Sequence, residues 1–352
     1  MALQLPPGIV GNQNFREGIM KISLSRPLAV ICALIFLMLV IAITALYGNG
    51  SVPWREIIAV LNGSSQDETI RTIIIELRIP RVIAALLCGA ALGVSGAILQ
   101  SVLRNSLAAP DLLGISAGGS CAGLLVMIWF PVFIPYLGIA AFAGALIVVM
   151  LIFAAARSCR FSPLRLILAG VALGALFSTI STAMLVMAPE RYSSVFNFLL
   201  GGFSGISAAE LKLFAPGLLL ALILPLFMGK KLDILALGDD CAATLGIRVP
   251  LTRLTALTLA ALGAASSAGC AGMLSFAGLI APHTVRLLGR SGTNRFVIPA
   301  SAAGGAILVI TGDFLGQIMA PEAVEIPAGV FLSGCGALFF VLLLTASGRD
   351  EL

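Results

Sequence analysis

Apolar runs of about twenty residues, parted by short polar breaks, occupy almost the whole length of this chain. A run of roughly 18 or more apolar residues crosses a hydrocarbon core of about 30 Å. The breaks divide the sequence into about ten such crossings, at 27–47, 81–103, 114–134, 138–156, 163–187, 211–229, 251–270, 272–288, 296–319 and 327–346. Composition agrees: 59% of the 352 residues are hydrophobic and only 11% are charged, against about a quarter charged in soluble domains. There is too little polar surface to cover a globule in water. The expected fold is an all-α polytopic membrane protein.

Orientation follows from the basic residues, because cytoplasmic loops keep the excess of Lys and Arg. With the N-terminus inside, fifteen of the 21 Lys and Arg residues fall on the inner side and both termini are cytoplasmic. The net charge of +5 is this topological bias and carries no sign of nucleic-acid binding. The first run, Pro27–Tyr47, is longer than the apolar core of a secretory signal and reads as an uncleaved helix. Residues 1–26 and 347–352 are then cytoplasmic ends around a single transmembrane domain, 27–346. The seven cysteines show no CxxC or metal-ligand spacing, so neither a disulfide framework nor a metal site is expected.

Two loops exceed what a turn needs, the outer segment 48–80 and the inner segment 230–250, and both are candidate docking surfaces. Glycines recur four residues apart: Gly89/Gly93, Gly119/Gly123, Gly170/Gly174 and Gly201/Gly205. Helices immersed in lipid associate through close backbone approach at small residues, so these stripes predict a compact bundle.

Few residues carry chemistry. Arg78 and Arg81 flank Pro80 just outside the second crossing, either snorkelling from a helix end or offering a fork to carboxylates on a partner. Ser95 lies in a GVSG run, and with the single histidine, His283, could form the dyad of an intramembrane serine protease. Asp313 is an intramembrane carboxylate that a proton-coupled carrier would need, though it reads first as a paired or hydrated structural group. His283 and Arg286 stand at the inner end of the eighth crossing, with packing or capping the simplest role. No GxxxxGK[ST] run occurs, so nucleotide hydrolysis is expected in another polypeptide.

Seven segments in order, LRIPRVIAALLCGAALGVSGAILQ, NSLAAPDLLGISAGG, LILAGVALGALFS, FLLGGFSG, LGDDCAATLGI, GLIAPHTVRLLG and EIPAGV, resemble the FecCD-type permease family, membrane subunits of ABC importers for ferric siderophores, haem and cobalamin. The resemblance implies a type II ABC importer permease fold with ten helices per subunit. It implies a second permease subunit, identical or paralogous, two cytoplasmic ATPase subunits, an extracytoplasmic substrate-binding protein and a metal-chelate ligand, all at the bacterial inner membrane. ATP and Mg would sit on the ATPase, with no cofactor on this subunit, which is not itself an enzyme. Arg78 and Arg81 match the arginines that meet glutamates of the binding protein, and Gln317 stands where some relatives carry a third arginine. The coupling segment gripped by the ATPase would comprise Asp239, Asp240, Cys241, Ala242 and Gly246. An inner gate would use Asn105, Ser106 and Leu107, with Ser106 in place of the usual proline, facing Ser162, Pro163 and Leu164. Ser178, Thr179, Ser181 and Thr182, with the segment Val195–Gly202, would line the cavity. The leading cargo is a ferric siderophore, with cobalamin or haem as alternatives.

Overall fold

The computed structural model describes residues 13–47, 52–64, 67–157, 163–188, 195, 198–319 and 325–347. Among them there is no strand, and fourteen α-helices account for most of the chain. Ten are apolar helices of the bundle: α1 (Gln13–Tyr47), α4 (Ile79–Leu103), α5 (Ile115–Trp129), α6 (Leu137–Arg157), α7 (Pro163–Met187), α8 (Ala208–Leu226), α11 (Val249–Ala271), α12 (Ala277–Gly289), α13 (Asn294–Ile318) and α14 (Ala328–Ser347). Four short helices lie between them: α2 (Trp54–Leu61), α3 (Glu68–Thr72), α9 (Gly229–Ala236) and α10 (Asp239–Thr244).

Local sequence explains several boundaries. Ser207 and Glu210 close a reciprocal capping box at the start of α8, satisfying two backbone donors that a helix start leaves open. The Asp67 carboxylate accepts from the Thr69 and Ile70 amides at the start of α3. Helix α3 then runs through a π-helical turn, Ile73–Arg78, directly into α4. The segment expected as an outer loop is therefore largely helical, and Arg78 and Arg81 lie within a continuous helical path rather than outside one. Val52, Ile57 and Val60 pack against Ile74 and hold α2 over this path.

Helix α4 is the axis of the bundle, buried over most of its length and packed against α8, α11, α12 and α13. Its glycines explain how so many neighbours fit. Gly89 and Gly93 face Ser301 and Gly305 of α13, and a Cβ at Gly96 would run into the Gly278 carbonyl of α12. Lipid gives no hydrophobic pull between helices, so this close approach supplies the packing that holds them together.

The eighth crossing differs from expectation. Helix α12 begins only at Ala277 and spans 13 residues, about 20 Å at 1.5 Å per residue, well short of the bilayer core. Residues 272–276 are irregular, as are 201–206 and 325–327 apart from short turns. These stretches satisfy one another. The Gly202 amide donates to the Ala271 carbonyl at 2.9 Å, and the Gly329 amide to the Gly201 carbonyl at 3.0 Å. Gly201, at φ +69°, lies so close to the Met273 backbone that a Cβ would collide with its carbonyl. Asp111 fastens the far side, accepting from the Phe276 amide at 3.0 Å and from the Ser116 hydroxyl at 2.7 Å. Irregular backbone survives inside a membrane protein only where protein or a cavity surrounds it.

Candidate functional site

Two ion-pair clusters mark opposite ends of α4. At its N-terminal end Arg81 donates from Nε and Nη2 to both oxygens of Asp313, each at 2.9 Å, and from Nη1 to Glu325 at 2.9 Å. Gln317 donates to the same Asp313 carboxylate at 2.9 Å. The Arg81 side chain is 15% exposed and that of Asp313 only 3%. Asp313 thus has the basic partner that sequence reading left it without. The pair is a bidentate clamp joining α4 to the end of α13 and to the segment before α14. Arg78, three residues earlier, donates from Nη1 to the Leu46 carbonyl at 3.1 Å and ties α1 to the same end.

At the other end, Asp239 opens α10 and accepts from two arginines. Arg253 of α11 donates from Nη1 and Nη2 at 2.9 and 2.7 Å, and Arg104 donates from Nη2 at 2.6 Å. The Arg104 guanidinium also holds the Leu235 carbonyl of α9, at 2.8 and 3.2 Å. Arg104 is the left-handed C-cap of α4, at φ +49°. Asp233 of α9 reaches α13, accepting from the backbone and side-chain nitrogens of Asn294 at 2.6 and 2.8 Å. The segment 229–246 is consequently bolted to α4, α11 and α13 at once.

The residue after Arg104 opens the turn at 105–107, expected from the sequence as an inner gate. Asn105 accepts from the Leu107 amide through its side chain at 2.9 Å and from the Ala108 amide through its carbonyl at 3.1 Å. This Asx turn constrains the loop although Ser106 is not a proline. Asp239, Arg104 and Asn105 therefore form a connected line from α10 to the turn at 105–107. On α10 itself Asp240 and Cys241 are exposed and Ala242 is buried, while Gly246 follows in an open left-handed turn at φ +82°. Exposed Leu237 and Leu245 flank the helix.

Pro163 and Leu164 begin α7, with Leu164 exposed, and Ser162 lies outside the described residues. Ser178, Thr179 and Thr182 lie on the open side of α7, whereas Ser181 is buried and turned into the bundle. The Thr179, Ser181 and Thr182 hydroxyls each donate to a carbonyl one turn back. Of the segment 195–202, residues 196 and 197 are outside the described set; Phe198 packs against Gly123 and Leu200 against Gly329.

No serine–histidine dyad forms. The Ser95 hydroxyl is buried without a hydrogen-bond partner and faces Gly263. His283 packs edge-on against Phe339, with ring centroids 5.4 Å apart.

Sequence reasoning missed Arg104, Arg253, Asp233, Asn294 and Glu325. Arg253 was the detectable one, since a charge inside an apolar run calls for a partner. The pairing of Arg81 with Asp313 bridges 232 positions and leaves no local trace.

A helical bundle with several membrane-spanning helices, and a short helix at one end joined by ion pairs to its central helix, defines the class: a multi-span helical membrane protein. The chain matches the FecCD transport family over residues 34–346 and belongs to it. It is 36% identical to the Fe(3+)-citrate import system permease protein YfmE of Bacillus subtilis, over 93% of this chain and 97% of that one. It is 35% identical to the vitamin B12 import system permease protein BtuC of Serratia proteamaculans, over 77% of this chain and 81% of that one. A solved inward-facing structure of a metal-chelate type ABC transporter superposes with a TM-score of 0.78 at 26% identity, covering 90% of this chain and 99% of that one. The protein is a permease of the metal-chelate and siderophore type of ABC importer.

Proposed function

We propose that this chain is the membrane subunit that carries a metal chelate, with a ferric siderophore as the leading cargo, across the bacterial cytoplasmic membrane. Hydrolysis of ATP with Mg belongs to separate ATPase subunits that press on α9 and α10 from the cytoplasm, and both chain termini share that side. The observation that carries this reading is the Asp239–Arg104 pair. It joins the exposed coupling helix to the residue immediately before the gate turn, so a push on α10 reaches Asn105, Ser106 and Leu107 through a single ion pair. Leu237 and Leu245, exposed beside α10, together with Asp240 and Cys241, supply the surface the ATPase would grip. The open side of α7, with Leu164, Leu168, Val171 and Leu176 exposed, suits a second permease subunit and the pathway beside it. The span of cargo among relatives, from iron citrate to vitamin B12, is why the chelate is assigned by class alone.

At the opposite end Arg78 is the residue proposed to meet a carboxylate of the substrate-binding protein, while Arg81 holds the surface in shape. Arg78→Glu is expected to weaken capture of the binding protein by at least about tenfold, the effect of replacing an attractive interfacial charge with a repulsive one. Surface-plasmon titration of the binding protein against the reconstituted permease measures it. Unchanged capture in that variant contradicts the docking role.

A further inference from the structure

We infer that the cavity beside the gate turn is a binding site for a soluble polycarboxylate or phosphate-bearing anion, placed to receive the charged groups of the cargo as it leaves. The cavity measures about 370 Å³ and lies between α4, α9, α12 and α13, with Gln100, Ser101, Arg104, Asn105, His283 and Arg286 on its walls. That volume is in the range of small-molecule sites.

Its chemistry is set by Arg286. Three other arginines that reach into this bundle meet carboxylates: Arg81 meets Asp313 and Glu325, while Arg253 and Arg104 meet Asp239. Arg286 is half-buried, and its hydrogen bond runs to the neutral side-chain oxygen of Gln100. Among the described residues no carboxylate comes within ion-pair distance of it. The nearby acids are already engaged, Asp233 by both nitrogens of Asn294 and Asp239 by the two arginines. A guanidinium offers five donors and is charged at any physiological pH. Most of that capacity is unused here and faces a cavity where Ser101, Asn105, Ser106 and Asn294 add further hydrogen-bonding side chains. An anion of fitting size would complete what the protein leaves open, through charge-assisted bonds.

The lining also argues for cargo over lipid. Asn105 and Ser106 of the gate turn form one wall, and Leu287 is the single large aliphatic side chain there. This assignment rests on the transport reading above, since only cargo passing the gate would reach the site from the membrane side.

The test uses the full-length permease in phosphatidylcholine nanodiscs, titrated calorimetrically with citrate and, separately, with inorganic phosphate. Saturable binding is expected in the native protein and in Arg290→Gln, which removes an exposed arginine outside the cavity. Arg286→Gln should weaken binding at least about tenfold, the scale of a lost charged hydrogen bond. Gln100→Glu should abolish it while keeping the helices together, because the new carboxylate occupies Arg286 from within. Absence of saturable binding to the native protein, or equal binding by Arg286→Gln, overturns the site. Loss of citrate binding when phosphatidylglycerol is added to the nanodisc overturns its assignment to soluble cargo. No ATPase takes part, so failure here is separable from failure of the transport reading, which uptake measurements decide.

Discussion

Asp239→Ala is expected to cut ATP-driven uptake by at least about tenfold while the permease still assembles with its ATPase and the complex still hydrolyses ATP. The carboxylate makes three bonds that join α10 to α4 and α11. Removing it leaves Arg104 held only by the Leu235 carbonyl of α9, so the direct link from α10 to the proposed gate turn is lost. It also strands Arg253, whose side chain is only 3% exposed and whose Nε already lacks a partner. Removing one member of a fully buried pair costs about 3–5 kcal/mol. Asp239 is 45% exposed, so screening by water brings the stability cost down to about 1–2 kcal/mol. The transport defect should therefore exceed the folding defect. Asp239→Glu, which keeps the charge, should recover a measurable part of uptake. Comparing ATPase activity with uptake in the same proteoliposomes separates the two, and full uptake by Asp239→Ala would contradict the coupling line.

The second large effect lies at the opposite end. Arg81→Glu sets three carboxylates against one another, with Asp313 almost fully buried. A loss of about 3–5 kcal/mol follows from breaking such a pair, enough to leave little folded protein in a marginally stable bundle. The exchange Arg81→Asp with Asp313→Arg should restore part of the stability, because the opposite charges are again adjacent. Thermal unfolding in detergent measures both. A stable Arg81→Glu variant would show that the clamp contributes little. A docking defect in any Arg81 variant would consequently report a damaged surface first, which makes Arg78 the cleaner probe of the proposed binding-protein contact.

Run length alone located most of the bundle. The helix at 163–187 is observed with the expected boundaries, and the starts and ends of α6, α11, α13 and α14 lie within two residues of those expected. Hydropathy failed at 272–288, because the break there is held by Phe198, Gly201 and Asp111, all distant in sequence. Pro80 misled in the opposite direction. Proline is tolerated in the first turn of a helix, and the π-helical turn before it carries the chain straight through. The segments 239–246 and 105–107 stood out in the sequence as motifs. Their connection did not, because Arg104 and Asp239 are 135 positions apart and meet only through the packing of α9 against α4. Among the glycines the stripe on α4 was informative for a physical reason: each absent Cβ leaves room for the backbone of α12 or α13.

The central claim is that this permease has no motor of its own and moves only when α9 and α10 are driven. Proteoliposomes carrying the permease and its binding protein, with and without the ATPase subunits and internal ATP, test it through accumulation of radiolabelled ferric citrate, a ferric hydroxamate and cobalamin. The account predicts concentrative uptake of at least one of these with the complete assembly and none above leak when the ATPase is omitted. Concentrative uptake by the permease without the ATPase, whether or not a proton gradient is imposed, would contradict it.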